Sequence, residues 1–343
     1  MKNDWLKSAK SSTTGIEKLI DRSFLGSRGA KYRLISARER LKSLDHPLFY
    51  YLEVRGKVLG NITFCNRLNS GVSENYIRYF AFDPGFQQTK KRSDSNSNKK
   101  SKIRTLFNQL LDKDIYEKND KYCYYAFVDQ QNWKSLSMGE TFGFQKIGKF
   151  STTSFSRLNP KRRMEIKELT GSELDDYKLQ LKHQYQKYNF FHPVNTDKGK
   201  VFDYLENGKM ILAATFYPTD WEIKSLPGNN GELKMKILGK LPLLSRFFPN
   251  RIMSFLGMEG LICQQPHLIN KFFESVLNQN DEKIIFIWAD SQCEIVSSIK
   301  PFLKNGILSR FSKQEEANII VKHNLNPDIY NQNPSYISAY DIS

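Results

Sequence analysis

YAFVDQQNWKSLSMGETFGFQKIG, residues Tyr125 to Gly148, holds a strand, a turn, a helix and a second strand in one short stretch. The run Cys123 to Asp129 (CYYAFVD) is continuously aromatic or aliphatic before its acid, as a strand buried on both faces should be. Gln130, Gln131 and Asn132 then make a polar turn, with Asn132 placed to cap the helix that follows. That helix runs to Phe142, and Gly143 supplies the stop before the next strand begins. The same order recurs at an offset of 161: the strand Ile284 to Asp290 (IIFIWAD), a helix through Leu303, then Asn305-Gly306. At that offset Asp129 meets Asp290, Gln131 meets Gln292, Ser137 meets Ser298 and Phe150 meets Phe311.

Working outward, each of these strands has a hairpin upstream. Tyr50 to Phe64 (YYLEVRGKVLGNITF) turns at Arg55-Gly56-Lys57, and Tyr204 to Phe216 (YLENGKMILAATF) turns at Asn207-Gly208. With one deletion the two share Tyr-Leu-Glu, Gly-Lys and Thr-Phe. An amphipathic helix separates hairpin from late strand in each half, over Ile103 to Tyr116 and Leu268 to Leu277. Each half thus reads as an α/β layered domain on a mixed sheet. The proline-marked junction Leu158-Asn159-Pro160-Lys161 sets the expected domains at 1–160 and 161–343.

Charge separates the halves. Residues 1–160 hold 29 Lys and Arg against 15 Asp and Glu, whereas 161–343 hold 23 against 21. The basic field of the first half attracts anions, or is plain solubility charge. Four dispersed cysteines and five histidines without ligand spacing give no support to metal chemistry or a disulfide framework. No apolar run is long enough to span a bilayer and Met1 to Thr14 lacks a secretory core, so the expected location is the cytoplasm. Gln87 to Lys100 (QQTKKRSDSNSNKK) is low in complexity and reads as a mobile loop. Leu238 to Met258 is apolar with interspersed arginines, as an interfacial membrane segment would be. Pro242 and Pro249 favour short helices packed on the second domain instead.

The Asn132, helix and Gly143-Phe144 pattern resembles the late strand and helix of the GNAT acyltransferases. Ile77 to Pro84 (IRYFAFDP) resembles the strand that leads into their pyrophosphate loop. The resemblance covers about residues 30–158 and, more loosely, 163–323. It implies two GNAT-like domains in tandem, each a mixed, mainly antiparallel sheet flanked by helices, with the second copy degenerate. It also implies acetyl-CoA or another acyl-CoA as cosubstrate and an unidentified amine as acceptor. The cosubstrate would lie along Phe82, Lys99, Lys100, Ser101, Lys102, Ile103, Arg104 and Asn132. A helix N-terminus suits a pyrophosphate because its N–H groups and dipole favour anions.

The sequence departs from the family pattern at several points. Both loop glycines are replaced by long basic residues around Lys99 to Arg104, and the general-acid tyrosine position is Gly139. Glu74, Tyr76 and Arg78 are the polar candidates on the strand, where alternation places Tyr76, Arg78, Phe80 and Phe82 on one face. Their bland reading is a half-exposed strand face, and that of Asn132 is a helix cap. In the second half Cys263 to His267 has no glycine and no Lys or Arg, and Cys293 replaces the asparagine. Acyl-CoA is therefore expected only in the first half, with His267 a surface or capping residue. A non-catalytic GNAT-fold binding module for an anionic ligand or protein partner is the alternative. Nucleic-acid binding through Lys90 to Arg104 lacks any recognised motif.

Overall fold

The computed structural model describes residues 5–26, 30–69, 71–83, 85, 105, 107–117, 119–226, 230–238, 241, 245–310 and 316–343. The first elements are β1 (Leu6–Ala9), α1 (Thr14–Arg22), β2 (Lys31–Leu34), α2 (Ala37–Lys42), β3 (Pro47–Val54), β4 (Lys57–Asn69) and β5 (Val72–Phe82). A helical stretch at 107–111 precedes β6 (Tyr122–Asp129), α3 (Trp133–Thr141) and β7 (Gln145–Ser156). Then come β8 (Lys167–Glu168), α4 (Gly171–Tyr185), β9 (Lys200–Glu206), β10 (Lys209–Ser225), α5 (Gly231–Leu238) and β11 (Ile252–Cys263). The chain closes with α6 (Ile269–Gln279), β12 (Ile284–Asp290), α7 (Glu294–Ile299), β13 (Glu316–His323) and α8 (Ala339–Ile342). Hairpin, strand, helix, strand, helix and strand thus occur twice, in a mixed α/β architecture with mostly antiparallel pairing.

The two hairpin turns form for the same reason. Arg55 and Gly56 have φ of 51° and 75°, and Asn207 and Gly208 have 51° and 74°. Two successive positive φ values make the tight turn whose twist matches the flanking strands. The late strands also end alike. Asp129 Oδ1 accepts the N–H of Gln131 at 2.8 Å, and Asp290 Oδ1 that of Gln292 at 2.9 Å. The repeated Asp-x-Gln is therefore one turn used twice. Gly143, at φ 83°, closes α3 while the N–H of Phe144 reaches the Gly139 carbonyl at 3.0 Å.

The chain divides into two compact units that exchange strands rather than following the cut at residue 160. Unit 1 comprises residues 1–25, 35–147 and 319–329; unit 2 comprises 26–34, 148–318 and 330–343. In unit 1 the strand order is β1-β3-β4-β5-β6-β13, so its last strand comes from the end of the chain. In unit 2 the order is β7-β12-β11-β10-β9-β8, and β2 also pairs with β10. All seven residues of β12 pair antiparallel with β7.

Unit 1 buries Ile62, Phe64, Leu111, Tyr124, Phe144 and Ile320 on one sheet face. Unit 2 buries two faces: Phe216, Leu256, Met258, Phe272 and Ile285 on one, and Tyr177, Leu181, Tyr185 and Ile262 on the other. Two expected extents are corrected. The helix placed over Ile103 to Tyr116 gives way to turns after 111, where the Asp114 carboxylate accepts the N–H groups of Tyr116 and Asn119 at 3.2 Å each. Within Leu238 to Met258, residues from Ile252 onward are β11 and not helix.

Candidate functional site

Parallel pairing is brief in both units. In unit 1, β5 and β6 pair over four residues, from Ser73 with Tyr122 to Tyr76 with Tyr125. Both strands run on past the end of that ladder, β5 to Phe82 and β6 to Asp129. On its other side β5 carries a bulge: Arg78 lies opposite Thr63 but Ala81 lies opposite Asn61, so two residues face Ile62 alone. Tyr79, at φ 52°, is one of them, and its carbonyl accepts the Asn61 amide at 2.9 Å. A bulge bends and twists a strand. Here it sits just beyond the last rung of the ladder to β6, where the two strands run on unpaired with each other and leave a wedge between them.

The bulge corrects the expected alternation. Arg78 and Tyr76 share a face with Thr63 and Cys65, their partners on β4. Phe82, opposite Gly60, lies on the face of Ile77 and Phe64 instead. Its ring leaves no room for a side chain at residue 60, where a Cβ would come within 2.7 Å. Glu74 and Tyr76 lie in the paired stretch. Glu74 is buried opposite Arg67 and accepts from the Asn69 amide at 3.3 Å. Tyr76 packs its ring 5.1 Å from Tyr125 and 5.3 Å from Phe127, with the Arg67 guanidinium 5.6 Å away over its face. Arg67 also donates to the Tyr125 hydroxyl at 3.0 Å. Of the three polar candidates only Arg78 borders the wedge, buried and 4.8 Å over the Tyr79 ring.

Asn132 caps α3, its Oδ1 accepting the Ser135 N–H at 3.3 Å. Gly139 lies against β13: a Cβ there would come 3.1 Å from Ile320 Cδ1. A larger side chain at this position would have to displace that methyl. Lys99, Lys100, Ser101, Lys102, Ile103 and Arg104, with the loop Gln87 to Lys100, lie outside the described residues.

Unit 2 repeats this geometry. β11 and β12 pair in parallel over three residues, Leu256 to Met258 with Ile285 to Ile287. β11 is bulged against β10 between Glu259, opposite Thr215, and Ile262, opposite Ala213. Gly260 takes φ 65° there, and a Cβ would meet the Tyr177 hydroxyl at 2.7 Å. Glu259 therefore holds the register position that Arg78 holds in unit 1. It is buried, and it accepts from Tyr217 at 2.9 Å, Ser338 at 2.7 Å and the N–H of Tyr340 at 3.3 Å. Burial raises its carboxyl above the ordinary range. A narrow pocket beside it is lined by Tyr185, Tyr188, Trp288, Asp290, Cys293 and Tyr336. Burial likewise raises the Cys293 thiol, which accepts from Tyr188 at 3.8 Å.

The chain itself engages the polar groups of this second wedge. Asp290 Oδ2 accepts the N–H of Ser335 at 2.9 Å, Glu259 holds Ser338 and Tyr340, and Asn189 donates to the carbonyls of Tyr330 and Asn333. The loop after β11 is tight, with Pro266 opening a 3-10 turn and His267 exposed. Glu259 was not singled out in the sequence, although a lone acid in FLGMEGLIC was its signal.

No family model and no curated protein matches the sequence. Solved structures do resemble the fold. The glucosamine N-acetyltransferase region of a fungal multi-domain β-N-acetylglucosaminidase aligns with 92% of this chain and 38% of its own, at 11% identity and a TM-score of 0.56. A candidate acetyltransferase from Pyrococcus horikoshii aligns over 99% and 97% of the two chains, at 12% identity and 0.51. Saccharomyces cerevisiae N-myristoyltransferase with bound myristoyl-CoA aligns over 98% and 86%, at 9% identity and 0.51. At such identities the likeness speaks for architecture, and the architecture is the GNAT fold of the GCN5-related N-acetyltransferases.

Proposed function

We propose that the protein is an acyl-CoA-dependent N-acyltransferase whose cosubstrate enters the wedge of unit 1. The observation that carries this reading is the end of the β5–β6 ladder at the Tyr79 bulge. A wedge between strands can take an extended thioester, and a backbone N–H of β5 would donate to the developing oxyanion. The corresponding wedge of unit 2 has its polar groups committed to residues 335–340. The basic charge of residues 1–160 suits the phosphates of CoA, and Lys99 to Arg104 lead into the helical stretch at 107–111. The solved N-myristoyltransferase, which holds myristoyl-CoA, supports acyl-CoA as the class.

In the reaction the acceptor's neutral amine attacks the thioester carbonyl. A C–N bond forms, the C–S bond breaks and the thiolate leaves as CoA. The ammonium proton passes to water or to a second amine, and water supplies the proton that the thiolate takes up, since Gly139 offers no acid. Arg78, at the mouth of the wedge, orients the acyl group or the acceptor. Acetyl is the expected acyl group and the cytoplasm the expected setting.

Titration calorimetry with acetyl-CoA tests the site. Lys99→Glu/Lys100→Glu is expected to weaken binding at least about tenfold, with a loss of salt dependence. Glu259→Gln, in unit 2, should leave it unchanged. Equal affinity in the Lys99→Glu/Lys100→Glu variant would remove the site from unit 1. The lack of an acid at Gly139 favours a second reading, a module that binds acyl-CoA without transfer. Mass spectrometry over a panel of amines separates the two: binding with no acylated amine supports the module.

A further inference from the structure

We infer that α5 is a docking surface for an anionic membrane face, a role independent of acyl transfer. The helix turns one side inward, with Met235 buried at 2% exposure. Leu233 and Ile237 are 55% and 53% exposed, and Leu241 just beyond the helix is 44% exposed. At about 100° per residue, Leu233 and Ile237 lie only about 40° apart on the helix surface, and Met235 lies opposite them. Lys236, which is exposed, lies about 60° from Leu233 on the helix surface, so a lysine borders the apolar stripe. Residues 231–251 hold five Lys and Arg, namely Lys234, Lys236, Lys240, Arg246 and Arg251, against Glu232 alone. Lys236, Arg246 and Arg251 are exposed.

Exposed aliphatic side chains at helical spacing lose water contact when they enter the headgroup boundary. Lysines beside them keep their ammonium groups at the phosphates while their stems add to the buried area. A partner protein with an acidic groove would satisfy the apolar stripe as well. The surplus of cations spread through 231–251 suits the extended negative potential of a lipid surface better than one groove. Among the described residues no helix is long and apolar enough to cross a membrane, so the contact is one of lying on the surface.

The test uses the full chain and co-sedimentation with vesicles of phosphatidylcholine, alone or mixed with phosphatidylglycerol. Binding is expected to the mixed vesicles only, to weaken with salt, and to fall at least about tenfold in Leu233→Ser/Ile237→Ser. Lys236→Glu/Arg246→Glu should lose the preference for phosphatidylglycerol. Both pairs are surface changes, and circular dichroism melts should match the parent. Equal binding of Leu233→Ser/Ile237→Ser and parent would show that bulk positive charge alone attracts the protein, and would overturn the proposal. So would absence of binding to mixed vesicles, or light scattering in which Leu233→Ser/Ile237→Ser converts a dimer to a monomer without vesicle binding. That last result would make the face a contact between two copies of the chain.

Discussion

At the scale of single residues, the bulge in unit 2 depends on a position that only glycine fills without strain. Gly260 combines φ of 65° with the Tyr177 hydroxyl 2.7 Å from a virtual Cβ, and that hydroxyl donates to the Gly260 carbonyl. Gly260→Ala should therefore cost about 2–3 kcal/mol in urea unfolding, part backbone strain and part displaced tyrosine. Unit 1 builds its bulge on Tyr79 instead, so the sequence carries no glycine there to mark it. Glu282 yields a pH-dependent test. Burial first, then the nearby Asp220 charge, raises its carboxyl from 4.5 to about 7. The folded state then holds a proton that the unfolded chain has released, so stability declines as pH climbs between those values. Glu282→Gln should stabilise by about 1–2 kcal/mol at pH 8, once partial exposure is allowed for, and by nearly nothing at pH 4. Thermal melts of both proteins across that range check the sign; a gain confined to acid pH would contradict it.

Among the elements, α3 shows how a functional signature and a structural one share a residue. Asn132 is the N-cap, and Asn132→Ala is expected to lower stability by about 1 kcal/mol whatever the ligand. Asn132→Ser, which keeps a cap, should recover most of that. If the serine variant restores stability but not acyl-CoA affinity, the amide has a second task at the cosubstrate. Much at this scale was legible from the chain: both hairpin turns, the doubled Asp-x-Gln turn and the Gly143 stop depend on neighbours in sequence. The faces of β5 were not. Phe82 joined Tyr76 and Arg78 in a strict alternation, and a register slip against β4 moved it across the sheet. Glu259 could have been seen as the one acid in an apolar strand. Its equivalence to Arg78 could not, because it rests on cross-strand partners, Thr215 and Thr63, far away in the chain.

For the whole molecule, the exchange of β7 and β13 is what periodicity had no means of showing, since a strand's own residues do not name its neighbours. Fragments 1–160 and 161–343 each lack a strand that the other fragment contributes. Residues 1–160 lack β13, which supplies Ile320 to the core of unit 1, and 161–343 lack the β7 ladder on β12. Expressed separately, neither should give a cooperative thermal transition; mixed, they should recover one. A sharp melt of 1–160 alone near that of the full chain would show the exchange to be dispensable. The exchange also sets a timetable for birth on the ribosome. Unit 1 has most of its residues outside the exit tunnel early, yet β6 waits with an open edge until residues 319–329 emerge. Throughout that interval the nascent chain presents a sticky strand edge to every neighbour, and translation pauses before residue 316 would lengthen the exposure.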